Sequence, residues 1–222
     1  MRTLIIAATT DADAGALSRL AQGADLIIAA DGGAARALAA GARPHVVVGD
    51  MDSLAPHVLD SLRQAGVEIV TFPARKNETD LELALLEAVR RGADDITIAG
   101  ALGGRLDHTL GNVYLLTMRQ LQGRRARLVD GSVEAYVEWG RAEIRGARGD
   151  TVSLIPLTPE VSGVETEGLE YPLRRESLFM GPGRGISNVM LGPIARVSTA
   201  HGILLAVVIH GEGDRDAEAG AV

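Results

Sequence analysis

From Thr3 to about Leu121, short Val, Ile and Leu runs alternate with alanine- and leucine-rich stretches of helical period. Leu4 to Ala8, Asp25 to Ala30, His45 to Val48, Glu68 to Phe72 and Asp95 to Ala99 each read as a strand followed by a turn and a helix. Repeated strand, helix, strand units predict a mostly parallel, Rossmann-like sheet with right-handed crossovers. Past Gly123 the helices stop. Ala126 to Val129, Ala135 to Glu138, Thr151 to Pro156, Ser177 to Met180, Arg196 to Ser198 and Ile203 to Ile209 read as strands, separated by turn pairs such as Asp130-Gly131, Gly149-Asp150 and His201-Gly202. This half predicts an antiparallel sandwich or barrel. The expected division is an α/β domain at 1–127, a β-sandwich domain at 128–212 and a polar, disordered tail at 213–222. Ala126 to Val129 lies at the boundary and could close the first sheet.

Composition narrows the chemistry. The 222 residues are 46% hydrophobic but only 3% aromatic, so the core is aliphatic and base stacking on nucleic acid is not expected. A net charge of −7, spread along the chain, argues against a polyanionic partner and leaves room for a small anionic substrate that brings its own metal. Zero cysteines exclude disulfides and thiolate chemistry and fit a reducing compartment, with cytoplasmic as the default. No apolar run approaches the roughly 20 residues that span a bilayer, so no membrane partner is expected.

Unusual residues gather in the loops expected at the carboxyl ends of the strands, where open parallel sheets bind ligands. Asp31-Gly32-Gly33 follows the second strand; its glycines allow close backbone approach to phosphate or sugar, although a strand-ending turn explains them as well. After the third strand, GDMDSL carries Asp50, Asp52 and Ser53. If the chain stays extended there, period-two geometry points both acids one way. Carboxylates about 4 Å apart repel by roughly 4 kcal/mol at an effective dielectric near 20, so such a pair calls for a cation. The pair is a candidate Mg²⁺ site; the alternative is a solvated turn with Asp52 or Ser53 capping a helix that starts near Pro56.

Lys76-Asn77-Glu78-Thr79-Asp80 follows the fourth strand, where Asn77 and Asp80 have the spacing of a capping box and Lys76 is a point-charge phosphate ligand. The fifth loop, GALGGRLDHTLGN, puts Asp107, His108, Gly111 and Asn112 on one helical face, with Leu106, Leu110, Val113 and Thr117 on another and Arg105 just ahead. Its glycines are not a dinucleotide fingerprint, since GALGGR departs from GxGxxG and follows the fifth strand rather than the first.

Taken in order, DGG, GDMDSL, KNETD and GALGGRLDHTLGN resemble the thiamine pyrophosphokinase (thiamine diphosphokinase) family. SLIPLTPEVSGVETEGLEYPL and GISN are similar to its thiamine-binding domain, so the likeness runs from roughly Asp31 to Leu205. The resemblance implies an α/β nucleotide-binding catalytic domain joined to a β-sandwich, working as a homodimer. It implies transfer of the β,γ-diphosphate of ATP to the hydroxyethyl oxygen of thiamine, with AMP released. By motif, Asp50, Asp52 and Asp80 would hold Mg²⁺. Asp31, Gly32, Gly33, Ser53, Lys76, Thr79, Arg105, Asp107, His108 and Asn112 would surround ATP and the transferring group, and Ser187 and Asn188 would contact thiamine. Lys76 and Arg105 would balance charge on the leaving AMP, and Asp107 or a metal-binding carboxylate would accept the alcohol proton, ahead of His108. Three departures stand out: AATTDAD lacks the glycine pair usual after strand one, Asn77 replaces an aspartate of KDxTD, and Val189 stands where glutamate is usual. The departures on the thiamine side leave open a same-family enzyme acting on another small alcohol. A DxD phosphohydrolase with Asp50 as nucleophile is the rival enzyme class, although that pair normally follows the first strand. A nucleotide-sensing module is the non-enzymatic alternative.

Overall fold

The computed structural model describes residues 1–9 and 13–211. Part of the AATTDAD loop and the 213–222 tail therefore lie outside the described residues. The chain divides into two compact units, Met1–Gly131 and Ser132–Val222.

The first unit alternates strands and helices: β1 (Arg2–Ile6), α1 (Ala14–Gln22), β2 (Leu26–Ala30), α2 (Gly33–Ala39), β3 (Val46–Gly49), α3 (Pro56–Gln64), β4 (Glu68–Thr71), α4 (Asp80–Arg90), β5 (Asp95–Ala99), α5 (Leu106–Leu115) and β6 (Arg125–Asp130). Its strands lie in the order β6-β5-β1-β2-β3-β4, and every pair is parallel. The segment around Ala126 thus closes this sheet beside β5. All residues of β2 and β3 are buried, as their uninterrupted apolar runs require of strands covered on both faces. α4 packs across β1, β2 and β3, with Leu81, Ala84, Leu85 and Ala88 buried. Full burial of a Leu or Ile side chain contributes about 1.5–3 kcal/mol, so this aliphatic interior fixes the strand ends that carry the loops.

Two helix starts differ from the sequence expectation. α3 has Ala55 at its N-cap with no side-chain cap, and Pro56 supplies a preset backbone angle in its place. Asp52 and Ser53 therefore do not cap it. At α4 the cap is Thr79, whose hydroxyl accepts from Glu82 N at 3.2 Å, so Asn77 is not the capping residue.

In the second unit, β12 (Asn188–Val189), β9 (Thr151–Pro156), β14 (Leu204–Ile209) and β7 (Val133–Glu138) run side by side in that order. A second sheet runs β11 (Arg174–Phe179), β10 (Glu160–Glu167), β13 (Ile194–Ser198) and β8 (Arg141–Arg145). All pairings within these groups are antiparallel. Both sheets contribute to one apolar core, including Ile144, Val152, Val164, Leu178, Val197 and Leu204, which defines a sandwich. β8 and β10 were not legible as strands. In RAEIR only Ile144 is buried, and in EVSGVETE the alternation is broken by a bulge beside Gly163. No helix among the described residues is long and apolar enough to cross a membrane.

Within the sandwich, β7 pairs with β14 so that Glu138 stands opposite Leu204, a core residue, and Glu138 is only 6% exposed. Burial pushes its carboxyl up to about 7. The folded state therefore keeps a proton that the unfolded chain gives up near pH 4.5, and this contribution is lost as pH rises through about 7. Denaturant titrations from pH 5 to 8.5 should show the wild type losing stability with pH, by up to roughly 3 kcal/mol, against a flatter profile for Glu138→Gln.

Candidate active site

The carboxyl ends of β2 and β3 bring three acids together. Asp31, Asp50 and Asp52 each offer one carboxylate oxygen, and these oxygens all lie within 4.8 Å of one another. Asp31 sits directly after β2 in a left-handed conformation (φ 41°), is 6% exposed, and its Oδ1 is buried with no hydrogen-bond partner. Asp50 and Asp52 do not follow an extended path. Met51 adopts φ 66°, and Asp52 N donates to Asp50 Oδ1 at 3.2 Å, so a tight turn converges the two acids. Met51 packs its side chain on the cluster of Ala29, Ala34, Val47, Leu54, Leu62 and Val67. A left-handed conformation costs a non-glycine residue of order 1–3 kcal/mol, a strain that concentrates at functional sites. Gly49, just before the pair, has φ 154°; a Cβ there would meet Asp31 Cβ at 2.9 Å and Asp80 Oδ1 at 3.2 Å. Only glycine lets these three loops approach so closely.

Lys76 neutralises part of the cluster. Its Nζ lies 3.1 Å from Asp50 Oδ2 and 2.9 Å from Asp80 Oδ1, and its side chain is 11% exposed. Burial works against the ammonium, but the carboxylates of Asp80 and Asp50 hold its pKa above the ordinary lysine value. The Asp52 N–H and then Lys76 lower the pKa of Asp50. Burial raises that of Asp31; the Ser53 hydroxyl and the Gly32 N–H oppose the rise, and the neighbouring charges of Asp80 and Asp50 add to it. Ser53 Oγ donates to Asp52 Oδ1 at 3.1 Å.

The oxygen set fits a hard divalent cation, with Asp31 Oδ1 a buried acceptor that no protein donor satisfies among the described residues. Asp31 therefore belongs with the metal-competent acids, whereas the sequence reading gave it to the nucleotide. Its signal was an acid directly after a wholly buried parallel strand. Asp80 joins the cluster through Lys76.

The predicted residues of α5 form a second group. Arg105 grips Asp107 with Nε at 3.1 Å and Nη2 at 2.5 Å, and both side chains are exposed. That fork holds the carboxyl of Asp107 down to about 2, which makes it a poor proton acceptor near neutral pH. Asn112 Nδ2 donates to Ala101 O at 2.7 Å and Thr109 Oγ1 to Gly103 O at 3.1 Å, fastening the glycine loop to the helix. His108 is exposed. Leu106, Leu110 and Tyr114 are 72%, 51% and 48% exposed, so the apolar side of α5 faces outward and not into the core. Among the described residues no hydrogen bond or ion pair joins this group to the acid cluster. Thr79 is committed to its capping role.

In the sandwich unit Ser187 has φ 58° and its N donates to Ser153 Oγ at 3.0 Å. Asn188 is buried: Oδ1 accepts from Tyr171 N and Val189 N, and Nδ2 donates to Tyr171 O. Its amide is spent on the backbone, and it presents the exposed Tyr171 to the surface.

An acid cluster with a half-buried lysine at the carboxyl ends of a parallel sheet, in a chain that adds a β-sandwich, defines the class of two-part α/β phosphotransfer enzymes. Residues 17–128 match the family description "Thiamin pyrophosphokinase, catalytic domain", and residues 141–204 match "Thiamin pyrophosphokinase, vitamin B1 binding domain". The chain is 31% identical over 185 residues to the thiamine pyrophosphokinase of Bacillus subtilis, covering 82% of this chain and 86% of that one. It is 30% identical over 168 residues to thiamine pyrophosphokinase 1 of Oryza sativa subsp. japonica, covering 71% and 63%. The fold matches the crystal structure of the enzyme from Geobacillus thermodenitrificans with a TM-score of 0.82 at 29% identity, over 96% and 99% of the two chains. The chain belongs to the thiamine pyrophosphokinase family.

Because Lys76 is the cation that keeps Asp50 and Asp80 close, Lys76→Gln should lower the unfolding free energy in EDTA by about 1–3 kcal/mol. Added Mg²⁺ should restore part of that loss, read from denaturant midpoints with and without the metal.

Proposed function

We propose that this protein transfers the β,γ-diphosphate of ATP to the hydroxyethyl oxygen of thiamine, giving thiamine diphosphate and AMP. The observation that carries this reading is the convergence of Asp31, Asp50 and Asp52 beside the Lys76–Asp80 pair, within the family's catalytic region. Asp31, Asp50, Asp52 and Asp80 would hold Mg²⁺, which supplies charge neutralisation on the phosphate oxygens. Asp31, Gly32, Gly33 and Ser53 border the nucleotide phosphates. Lys76 is placed between Asp50 and Asp80, where it meets negative charge developing as AMP leaves. Arg105, oriented by Asp107, presents a rigid guanidinium from the start of α5. Asp107 acts as the partner of Arg105 rather than as the base. His108 and Asn112 complete the α5 side. In the sandwich unit Ser187 meets thiamine directly, and Asn188 acts by holding Tyr171.

Such a reaction asks the protein for positioning and charge balance more than for covalent chemistry, and mutually braced polar groups around the buried Asp31 support both. The outward apolar side of α5 supports a homodimer. The cysteine-free composition fits a reducing compartment such as the cytoplasm.

Incubation with ATP, Mg²⁺ and thiamine, followed by chromatography, should give thiamine-dependent AMP with an equal amount of thiamine diphosphate. ADP as the nucleotide product, or nucleotide turnover indifferent to thiamine, would overturn the assignment. Asp52→Asn should reduce turnover by orders of magnitude while leaving the circular dichroism spectrum intact and the metal-free unfolding midpoint no lower than that of the wild type; near wild-type turnover would remove Asp52 from the metal set.

A further inference from the structure

We infer that Arg36 binds the phosphate of ATP nearest the nucleoside, a role that rests on the diphosphotransferase reading above. In the order β6-β5-β1-β2-β3-β4 the chain builds outward from β1 to β4 and then crosses back to β5 on the other side of β1. Open parallel sheets bind ligands in the crevice outside the strand ends at that reversal. Here its walls are joined: Ala7 N donates to Ala99 O at 2.9 Å and Thr9 N to Gly100 O at 3.0 Å.

α2 is seated directly on this crevice. A Cβ added at Gly33 would lie 2.0 Å from Ile6 O, so the helix start touches the end of β1. One turn further along, Arg36 shares the face of Gly33. Its Nη1 lies 3.4 Å from where a Cβ of Gly100 would be, and that same point is 2.8 Å from Ala7 O. The guanidinium therefore reaches from α2 to the joined ends of β1 and β5, at the floor of the crevice. Among the described residues Arg36 has no carboxylate partner and no side-chain hydrogen bond, although it is half-buried in a chain of net charge −7. A planar donor fork left unmatched in a ligand crevice suits a phosphate.

The position also selects which phosphate. At a strand spacing of about 4.8 Å, Asp31 at the end of β2 stands one strand, about 5 Å, from β1, and Asp50 and Asp52 past β3 stand two strands, about 10 Å, from it. The transferred diphosphate belongs with the acids and their cation. The phosphate retained in AMP then falls to Arg36.

The test measures AMP affinity by calorimetry without thiamine, and steady-state kinetics with ATP and thiamine varied separately, for wild type, Arg36→Ala and Arg36→Lys. Arg36→Ala should weaken AMP binding and raise the KM for ATP about ten- to hundredfold, with the thiamine KM and the thermal midpoint little changed. Arg36→Lys should recover only part, since it keeps the charge but loses the fork. Wild-type AMP affinity in a folded Arg36→Ala protein overturns the inference; if that variant does not fold, wild-type AMP affinity in Arg36→Lys overturns it. Should the wild type form no thiamine-dependent AMP, the diphosphotransferase reading fails, while AMP binding that is lost in Arg36→Ala still supports the phosphate contact.

Discussion

Four carboxylates at the ends of β2 and β3 and the start of α4, with one ammonium group from the loop before α4, set the terms for the rest of the catalytic unit. Asp31, Asp50 and Asp52 place oxygens within 4.8 Å, and Asp80 reaches the same cluster through Lys76. Like charges at such distances repel by several kcal/mol unless a cation intervenes. Lys76 offsets part of that repulsion from a nearly buried position. The remaining negative charge, with one buried oxygen of Asp31 unpaired, is a standing demand for a second cation.

Holding such a cluster requires a frame that cannot relax. The frame is the aliphatic sheet: β2 and β3 are buried throughout, and α4 covers them. Against it the chain tolerates left-handed conformations at Asp31 and Met51, with Met51 anchored in apolar packing between the two acids that it separates. The stability of the core thus maintains local strain and charge crowding that the loops alone could not.

The α5 side uses a different principle. Its polar residues are mostly exposed, and their order comes from local links: the Arg105–Asp107 fork and the Asn112 bond to Ala101. The Arg105 fork also lowers the basicity of Asp107, because the paired guanidinium holds its carboxyl down to about 2. Asn188 shows a similar conversion in the sandwich, where an amide that looks like a ligand contact is occupied by the backbone of Tyr171 and Val189.

Sequence alone was enough for what depends on local periodicity. Strand and helix alternation defined the α/β unit, the loss of helices after Gly123 defined the β unit, and loop position relative to strand ends located the acids and Lys76. Charged strands such as β8 and β10 escaped because only one or a few of their side chains are buried, which leaves little hydrophobic period to read. The capping of α4 by Thr79 rather than Asn77, and of α3 by no side chain, depended on where the backbone turned. Tertiary structure alone decided that Asp31 joins Asp50 and Asp52, that a left-handed turn and not an extended strand converges the pair, and that Arg36 reaches Gly100. The first and last follow from contacts between elements remote in sequence and the turn from the backbone angle at Met51, and neither strand order nor backbone angle is encoded by the spacing of residues along one segment.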